Sequence, residues 1–246
     1  MQCAGFPRSR DLHLDLMKES CRASNADFVI GQFDILRAEG WAPDSRTIDA
    51  LIEAYLMKGD IDTALEIVEQ MIRRTSCKIP HPHDLTYVRL INTCVKANRL
   101  DDALQLYHNM RISGRAPHRA TYTSLINAVA HFGSPTTAES IFRDMLRIGI
   151  QPTARQYNIL IWLYVHRLND AEGMQKIVEE MHEKGVKPTT STFNIMLDGF
   201  VKRGDLDSAI ELLEGFPVQP DVVSYTTVLK GLSDWERGQE NGRELE

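Results

Sequence analysis

The chain repeats itself with a step near 35 residues. Gly40-Trp-Ala-Pro43, Gly114-Arg-Ala-Pro117, Gly149-Ile-Gln-Pro152 and Gly185-Val-Lys-Pro188 are four copies of one Gly-x-x-Pro ending, and Val218-Gln-Pro220 is a fifth without its glycine. From Pro117 onward these prolines lie 35, 36 and 32 residues apart. Other columns keep the same irregular steps. Met71, Met110, Met145 and Met181 are 39, 35 and 36 apart, and Tyr87, Tyr122, Tyr157, Phe193 and Tyr225 are 35, 35, 36 and 32 apart. Ala64, Ala103 and Ala138 are 39 and 35 apart, with Ala209 a later small residue of the same kind. Self-similarity at such a period means stacked supersecondary units, none of which can bury its own apolar face alone.

Each unit reads as two helices. Between Tyr122 and Pro152, Tyr122, Leu125, Ile126 and Val129 recur at helical spacing, with Thr121 expected as the N-cap. Gly133 breaks that helix and Ser134-Pro135 restarts it, a capping hydroxyl before a proline at the first helical position. Ala138, Ile141, Phe142 and Met145 form the second apolar face. The caps of the second helices are expected at Asp60, Asn169 and Asp205, with Arg99 as the exception. The expected fold is all-α, an α-solenoid of about seven helix-turn-helix units. They span 9–44 (degenerate), 45–83 (four extra residues within Thr75 to His83), 84–118, 119–153, 154–189, 190–221 (three residues short) and 222–246 (incomplete). Residues 1–8 read as the tail of a preceding unit, with Met1 in the methionine column and Gly5 in the glycine column. That start implies an internal portion of a longer array or an incomplete chain. From Asp234 onward the sequence is polar, and no packed helix is expected there.

Charge and chemistry narrow the function. Twenty-eight basic against 34 acidic residues give −6, so any anion site is a local stripe on an acidic body. No apolar stretch approaches the about 20 residues of a membrane-spanning helix. Cys3, Cys21, Cys77 and Cys94 form no Cys-x-x-Cys, and Cys94 falls in an apolar helical pattern as a small buried hydrophobe. That usage fits a reducing compartment. His81-Pro82-His83 offers two metal ligands without a third and reads as a polar loop. No nucleophile elbow, phosphate loop, dinucleotide turn or zinc-deaminase signature is present. The chain is therefore expected to be no enzyme, with no cofactor, metal or small-molecule substrate.

The first helices open Thr86-Tyr87, Thr121-Tyr122 and Thr192-Phe193, and the second helices end Met-x-x-x-Gly-x-x-Pro. Arg99-Leu-Asp-Asp-Ala-Leu-Gln-Leu-Tyr107 and Asp205-Leu-Asp-Ser-Ala-Ile-Glu-Leu-Leu213 complete a pattern that resembles the pentatricopeptide repeat family over nearly the whole chain. The resemblance implies a right-handed superhelix and an organellar protein, in mitochondrion or chloroplast, that reads single-stranded RNA one base per repeat in RNA processing, stabilisation or translation. The family's base-reading pair is the residue after the helix-opening aromatic and the residue after the terminal proline. Carried over, the pairs are Asp49 with His83, Val88 with His118, Thr123 with Thr153, Asn158 with Thr189, and Asn194 with Asp221, while Thr226 has no partner. Only Asn194 with Asp221 matches a defined pairing, the one associated with uracil. The column two residues before the aromatic, aliphatic in the family, holds Arg46, Leu85, Ala120, Arg155, Ser191 and Val223.

A basic column ends the first helices: Arg22, Lys96, His131, His166 and Lys202, broken by Met57 and Asp234. It reads either as a phosphate track or as solvated helix ends whose cations suit the C-terminal dipole. The alternative function is a protein-interaction scaffold, for example in an organellar ribosome or ribonucleoprotein.

Overall fold

The residue after each repeat-ending proline turns the chain into a helix. Asp44, His83, Thr153 and Thr189 have extended backbones, with ψ of 175°, 153°, 172° and 171°, and each is an N-cap. The cap is thus three residues earlier than the helix-opening threonines suggest, because the helical dihedrals already begin directly after the proline-linked residue. Thr121 is the third residue of its helix rather than the cap. The glycines of the endings serve the opposite terminus. Gly149, for example, has φ +83°, the left-handed region that stops a helix at no steric cost only for glycine.

The computed structural model describes residues 10–73, 82–215 and 220–243. The helices are α1 (Arg10–Arg22), α2 (Ala26–Ala38), α3 (Ser45–Lys58), α4 (Ile61–Arg73), α5 (Asp84–Lys96), α6 (Leu100–Ile112), α7 (Arg119–Phe132) and α8 (Pro135–Arg147). They continue as α9 (Ala154–Leu163), α10 (Ala171–Glu183), α11 (Thr190–Lys202), α12 (Leu206–Gly215) and α13 (Val222–Arg243). No strand occurs among the described residues. The tail residues Met1, Cys3 and Gly5, the insertion with Cys77 and His81, and Pro217 to Gln219 lie outside them.

The chain forms two compact units, residues 1–121 and 122–246. In the first, α1, α3 and α5 pack side by side, and α2, α4 and α6 back them. Met17, Val29, Leu36 and Ala54 make one core cluster there. In the second, α9, α11 and α13 pack in series, with α10 and α12 behind. Phe193, Leu197, Ala209 and Val228 form a cluster between them. Tyr87, Tyr122, Tyr157 and Phe193 are each fully buried, as equivalent positions should be. Burial of each such ring contributes about 1.5–3 kcal/mol. Tyr225, the last of the column, is 55% exposed, since no helix follows α13 among the described residues. Ala64, Ala103, Ala138 and Ala209 are fully buried, which fits a column of close helix approach. Cys94 is buried as expected, and desolvation pushes its thiol up to about 11.

Three local expectations are corrected. The N-cap of α10 is Asp170, whose carboxylate accepts the Gly173 N–H at 2.9 Å, and not Asn169. Asn169 is instead a left-handed residue that closes a π-helical turn at Tyr164–Leu168. That turn absorbs the one extra residue of the 36-residue unit, so Met174, and not Gly173, occupies the alanine column. Gly173 is required beside it, because a Cβ there would lie 2.3 Å from the Tyr164 ring. Ser134 is an N-cap but makes no side-chain capping bond, its hydroxyl pairing with Thr136 at 2.7 Å. As expected of the short sixth unit, α12 spans 10 described residues, against 13 in α10. Lastly, α13 continues through Asp234 to Arg243. This polar stretch is helical because glutamate, glutamine and arginine are good helix formers even without an apolar face.

Candidate nucleic-acid interface

The first helices place one reader residue per repeat on the turn that follows the buried aromatic. At Asp49, Thr123, Asn158 and Asn194 the third residue of the next first helix reaches back to it. Thr86 donates its hydroxyl to Asp49 Oδ1 at 2.7 Å, and the His83 backbone N–H donates to the same oxygen at 3.1 Å. Gln156 donates its amide Nε2 to Thr123 Oγ1 at 2.6 Å. Thr192 donates to Asn158 Oδ1 at 2.6 Å, and Ser224 donates to Asn194 Oδ1 at 2.6 Å. These back-reaching residues are buried, while the readers Thr123, Asn158 and Asn194 remain half-exposed.

The Asn194–Asp221 pair is assembled, with Asn194 Nδ2 donating to Asp221 Oδ1 at 3.2 Å. The shortened α12 does not pull it apart. Asp221 also caps α13, its Oδ1 accepting the Ser224 N–H at 2.9 Å. That backbone bond, with the Asn194 and Ser224 side chains, holds the Asp221 carboxyl below its usual range. A carboxylate only accepts, so Asn194 must turn its nitrogen to Asp221 and its oxygen to Ser224. The other partners behave differently. Thr153 and Thr189 are committed to capping boxes with Gln156 and Thr192. Thr226 is exposed and bonds its own helix at Val223 O, 3.0 Å away.

One column position breaks the ladder. Val88 offers no acceptor, and in the following repeat the Thr121 Oγ1 is buried without a hydrogen-bond partner. A buried hydroxyl left in that state costs about 1–3 kcal/mol.

Beside Asn158 lies a groove of about 530 Å³, lined by Arg155, Asn158, Trp162, Thr189, Ser191 and Ile195 among others. Trp162 is an aromatic surface that the motif columns do not reveal, though it lies one helical turn beyond Asn158 on the same face. Its ring packs 3.9 Å from the His131 ring and 5.1 Å from that of His166.

The basic column is weaker than its composition suggests. His166 Nε2 lies 3.3 Å from Asp198 Oδ2, and Lys202 Nζ lies 2.9 Å from the same oxygen. Burial and the Lys202 charge hold His166 below the ordinary histidine value of 6.5, against the pull of Asp198. The imidazole is therefore mostly neutral at pH 7. Arg167, one residue on, donates to the carbonyls of His131 at 2.8 Å and Ala130 at 3.1 Å, so it caps the end of α7. Lys96 is exposed at the end of α5. Among the described residues, no three His, Cys, Asp or Glu side chains converge as a metal site. Nor is any helix there long and apolar enough to cross a membrane.

Paired helices at a step near 35 residues define a helical-repeat protein. The family model described as the pentacotripeptide-repeat region of PRORP matches residues 52–241, and the chain belongs to this pentatricopeptide repeat family. A putative pentatricopeptide repeat-containing protein of Arabidopsis thaliana is 23% identical over 200 residues, which cover 78% of this chain and 26% of that protein. A chloroplastic pentatricopeptide repeat-containing protein of the same plant is 26% identical over 196 residues, 78% of this chain and 25% of the relative. The chain thus spans about a quarter of the length of these relatives. Among solved structures, the pentatricopeptide repeat protein PPR10 in complex with an 18-nt psaJ RNA element superposes with a TM-score of 0.63 at 20% identity, covering 90% of this chain and 32% of that one. The PPR domain of Arabidopsis thaliana protein-only RNase P 1, in complex with tRNA, gives 0.58 at 19% identity over 74% of this chain and 95% of its own. These likenesses establish the fold.

Proposed function

We propose that this chain binds single-stranded RNA, with Thr123, Asn158 and Asn194 reading successive bases and Asp221 orienting Asn194. The observation that carries the proposal is the reader ladder itself. Half-exposed residues with hydrogen-bonding side chains recur in three consecutive repeats, at Thr123, Asn158 and Asn194, each tethered from behind by a buried donor. A protein surface under no pressure to present these groups in one orientation would leave them solvated.

Trp162 adds a stacking surface beside Asn158, and Arg155 adds a guanidinium plane. Lys96 and Lys202 supply cationic charge for the phosphates, with His131 and His166 as weaker contributors. Thr153, Thr189 and Thr226 complete the set of candidate contacts, the first two through the caps beside the readers. The proposed mode of action is occupancy of a short tract rather than catalysis. The proposed setting is a chloroplast or mitochondrion, in line with relatives named chloroplastic and mitochondrial.

The experiment is titration of fluorescently labelled single-stranded RNA at several salt concentrations, with duplex RNA of the same sequence as control. An RNA reader weakens along a log–log slope of about −0.7 per phosphate contact and prefers the single strand. Absence of binding by the folded chain at low salt would overturn the proposal and favour a scaffold for a protein partner.

A further inference from the structure

The reader residues do not choose their own orientation. In α9, α11 and α13 the backbone N–H of the cap donates into the side chain of the third helical residue. The Thr189 N–H donates to Thr192 Oγ1 at 3.0 Å, the Asp221 N–H to Ser224 Oγ at 3.1 Å, and the Thr153 N–H to Gln156 Oε1 at 2.8 Å. That bond occupies an acceptor site of the third residue. Although Ser224 Oγ also lies 3.0 Å from Asp221 Oδ1, the third residue's own proton, or the amide N–H₂ of Gln156, has its shortest acceptor in the preceding repeat. There it meets Asn158 Oδ1, Asn194 Oδ1 or Thr123 Oγ1, each at 2.6 Å. The relay has one polarity, from backbone N–H to third residue to reader, because a backbone amide can only donate.

From this relay we propose that Gln156, Thr192 and Ser224 are specificity-determining residues, positioning groups that fix which atoms Thr123, Asn158 and Asn194 turn toward a base. The inference rests on the RNA-reading proposal above and deepens it. An asparagine carries both a donor and an acceptor, so an untethered one satisfies opposite base edges equally by rotating its amide. With Oδ1 held by Thr192, Asn158 turns its nitrogen away from that tether. Asn194 is held at both ends, by Ser224 on its oxygen and by Asp221 on its nitrogen, and so has a single amide orientation. Base choice at a repeat is then written partly in the next repeat, 34 residues on for Asn158 and 30 for Asn194.

Val88 is the independent check. Where the reader column has no acceptor, the third residue of the next helix, Thr121, keeps its buried oxygen without a partner. The Thr121 oxygen accepts nothing from its own helix cap either, so where the reader column lacks an acceptor the whole relay is absent.

The test compares binding of RNAs that differ only at the nucleotide facing Asn158 or Asn194. Thr192→Val and Ser224→Ala remove the donor. Thr192→Ser and Ser224→Thr keep it. Asn158→Ala and Asn194→Ala remove the readers. The expected result is that each donor-removing variant flattens base preference at its own position by about tenfold, while the hydroxyl-keeping variants restore it. In the free protein, the side-chain amide protons of Asn158 and Asn194 are expected at distinct, slowly exchanging NMR positions. Thr192→Val and Ser224→Ala would return them to averaged solvent-like shifts. If base preference survives Thr192→Val and Ser224→Ala yet is lost in Asn158→Ala and Asn194→Ala, the relay proposal is overturned while base reading stands. If the wild-type chain binds RNA with no base preference at these positions, base reading fails and the relay proposal fails with it.

Discussion

One substitution, threonine to valine, should change stability in opposite directions at two equivalent positions. Thr121 and Thr192 are both third residues of their helices, both fully buried and both followed by the column aromatic. Helix propensity is similar for threonine and valine, so that contribution cancels between sites. At Thr192 the hydroxyl accepts from the Thr189 N–H and donates to Asn158. Removing two hydrogen bonds at about 1 kcal/mol each, and gaining some apolar burial, should leave Thr192→Val about 1–2 kcal/mol less stable. At Thr121 the oxygen is already buried without a partner, so the methyl replaces a group that costs about 1–3 kcal/mol. Thr121→Val should therefore be more stable by about 1–2 kcal/mol. For a chain of this length that separates the two melting temperatures by several degrees, at about 2–4 °C per kcal/mol. Repeat arrays can unfold in stages, so amide exchange in α7 and α11 should accompany the circular-dichroism melts. Movement of both variants in the same direction would refute the account of the Thr121 oxygen.

Val88→Asn should give Thr121 a recipient and cost little net stability, and a double-mutant cycle with Thr121→Val should show a coupling of about 1 kcal/mol or more. Zero coupling would place the two residues out of contact. Gly173→Ala drives a Cβ into the Tyr164 ring and the Asp170 carboxylate, so a loss of about 1–3 kcal/mol is expected in thermal melts, whereas Gly215→Ala, where nothing lies near, should cost nothing. His166 is held below 6.5 in the fold, so the unfolded chain takes up its proton first as pH falls. Its contribution is complete above 6.5 and is lost as pH drops through the lowered value. His166→Gln should accordingly lose less stability than the wild type between neutral pH and about pH 5. Equal pH dependence of the two proteins would show that this imidazole is not protonated differently in the fold.

The sequence by itself determined the repeat, the two-helix unit and the buried columns, because these follow from local periodicity and from glycine and proline at fixed steps. Met71, Met110, Met145 and Met181 are buried, as are the four column aromatics from Tyr87 to Phe193. The family's pairing rule also names Asn194 and Asp221 as partners, and the fold places them 3.2 Å apart. What the tertiary structure decided concerns residues about 30 to 37 apart in the chain. Thr192 and Ser224 look like ordinary helix-opening residues until the next helix is stacked on the last, and only then do their hydroxyls meet Asn158 and Asn194. Asp198 is one more acidic residue in the sequence, yet in the fold it pairs with Lys202 and faces His166, which weakens the basic column. The extra residue of the fifth unit could have been placed in any turn; the Tyr164–Leu168 π-turn took it because Gly173 leaves room for the Tyr164 ring. Periodicity fixes which residues share a face, but the distance between side chains on neighbouring repeats is set by how closely the helices stack, and hydrogen bonds depend on that distance to a fraction of an ångström.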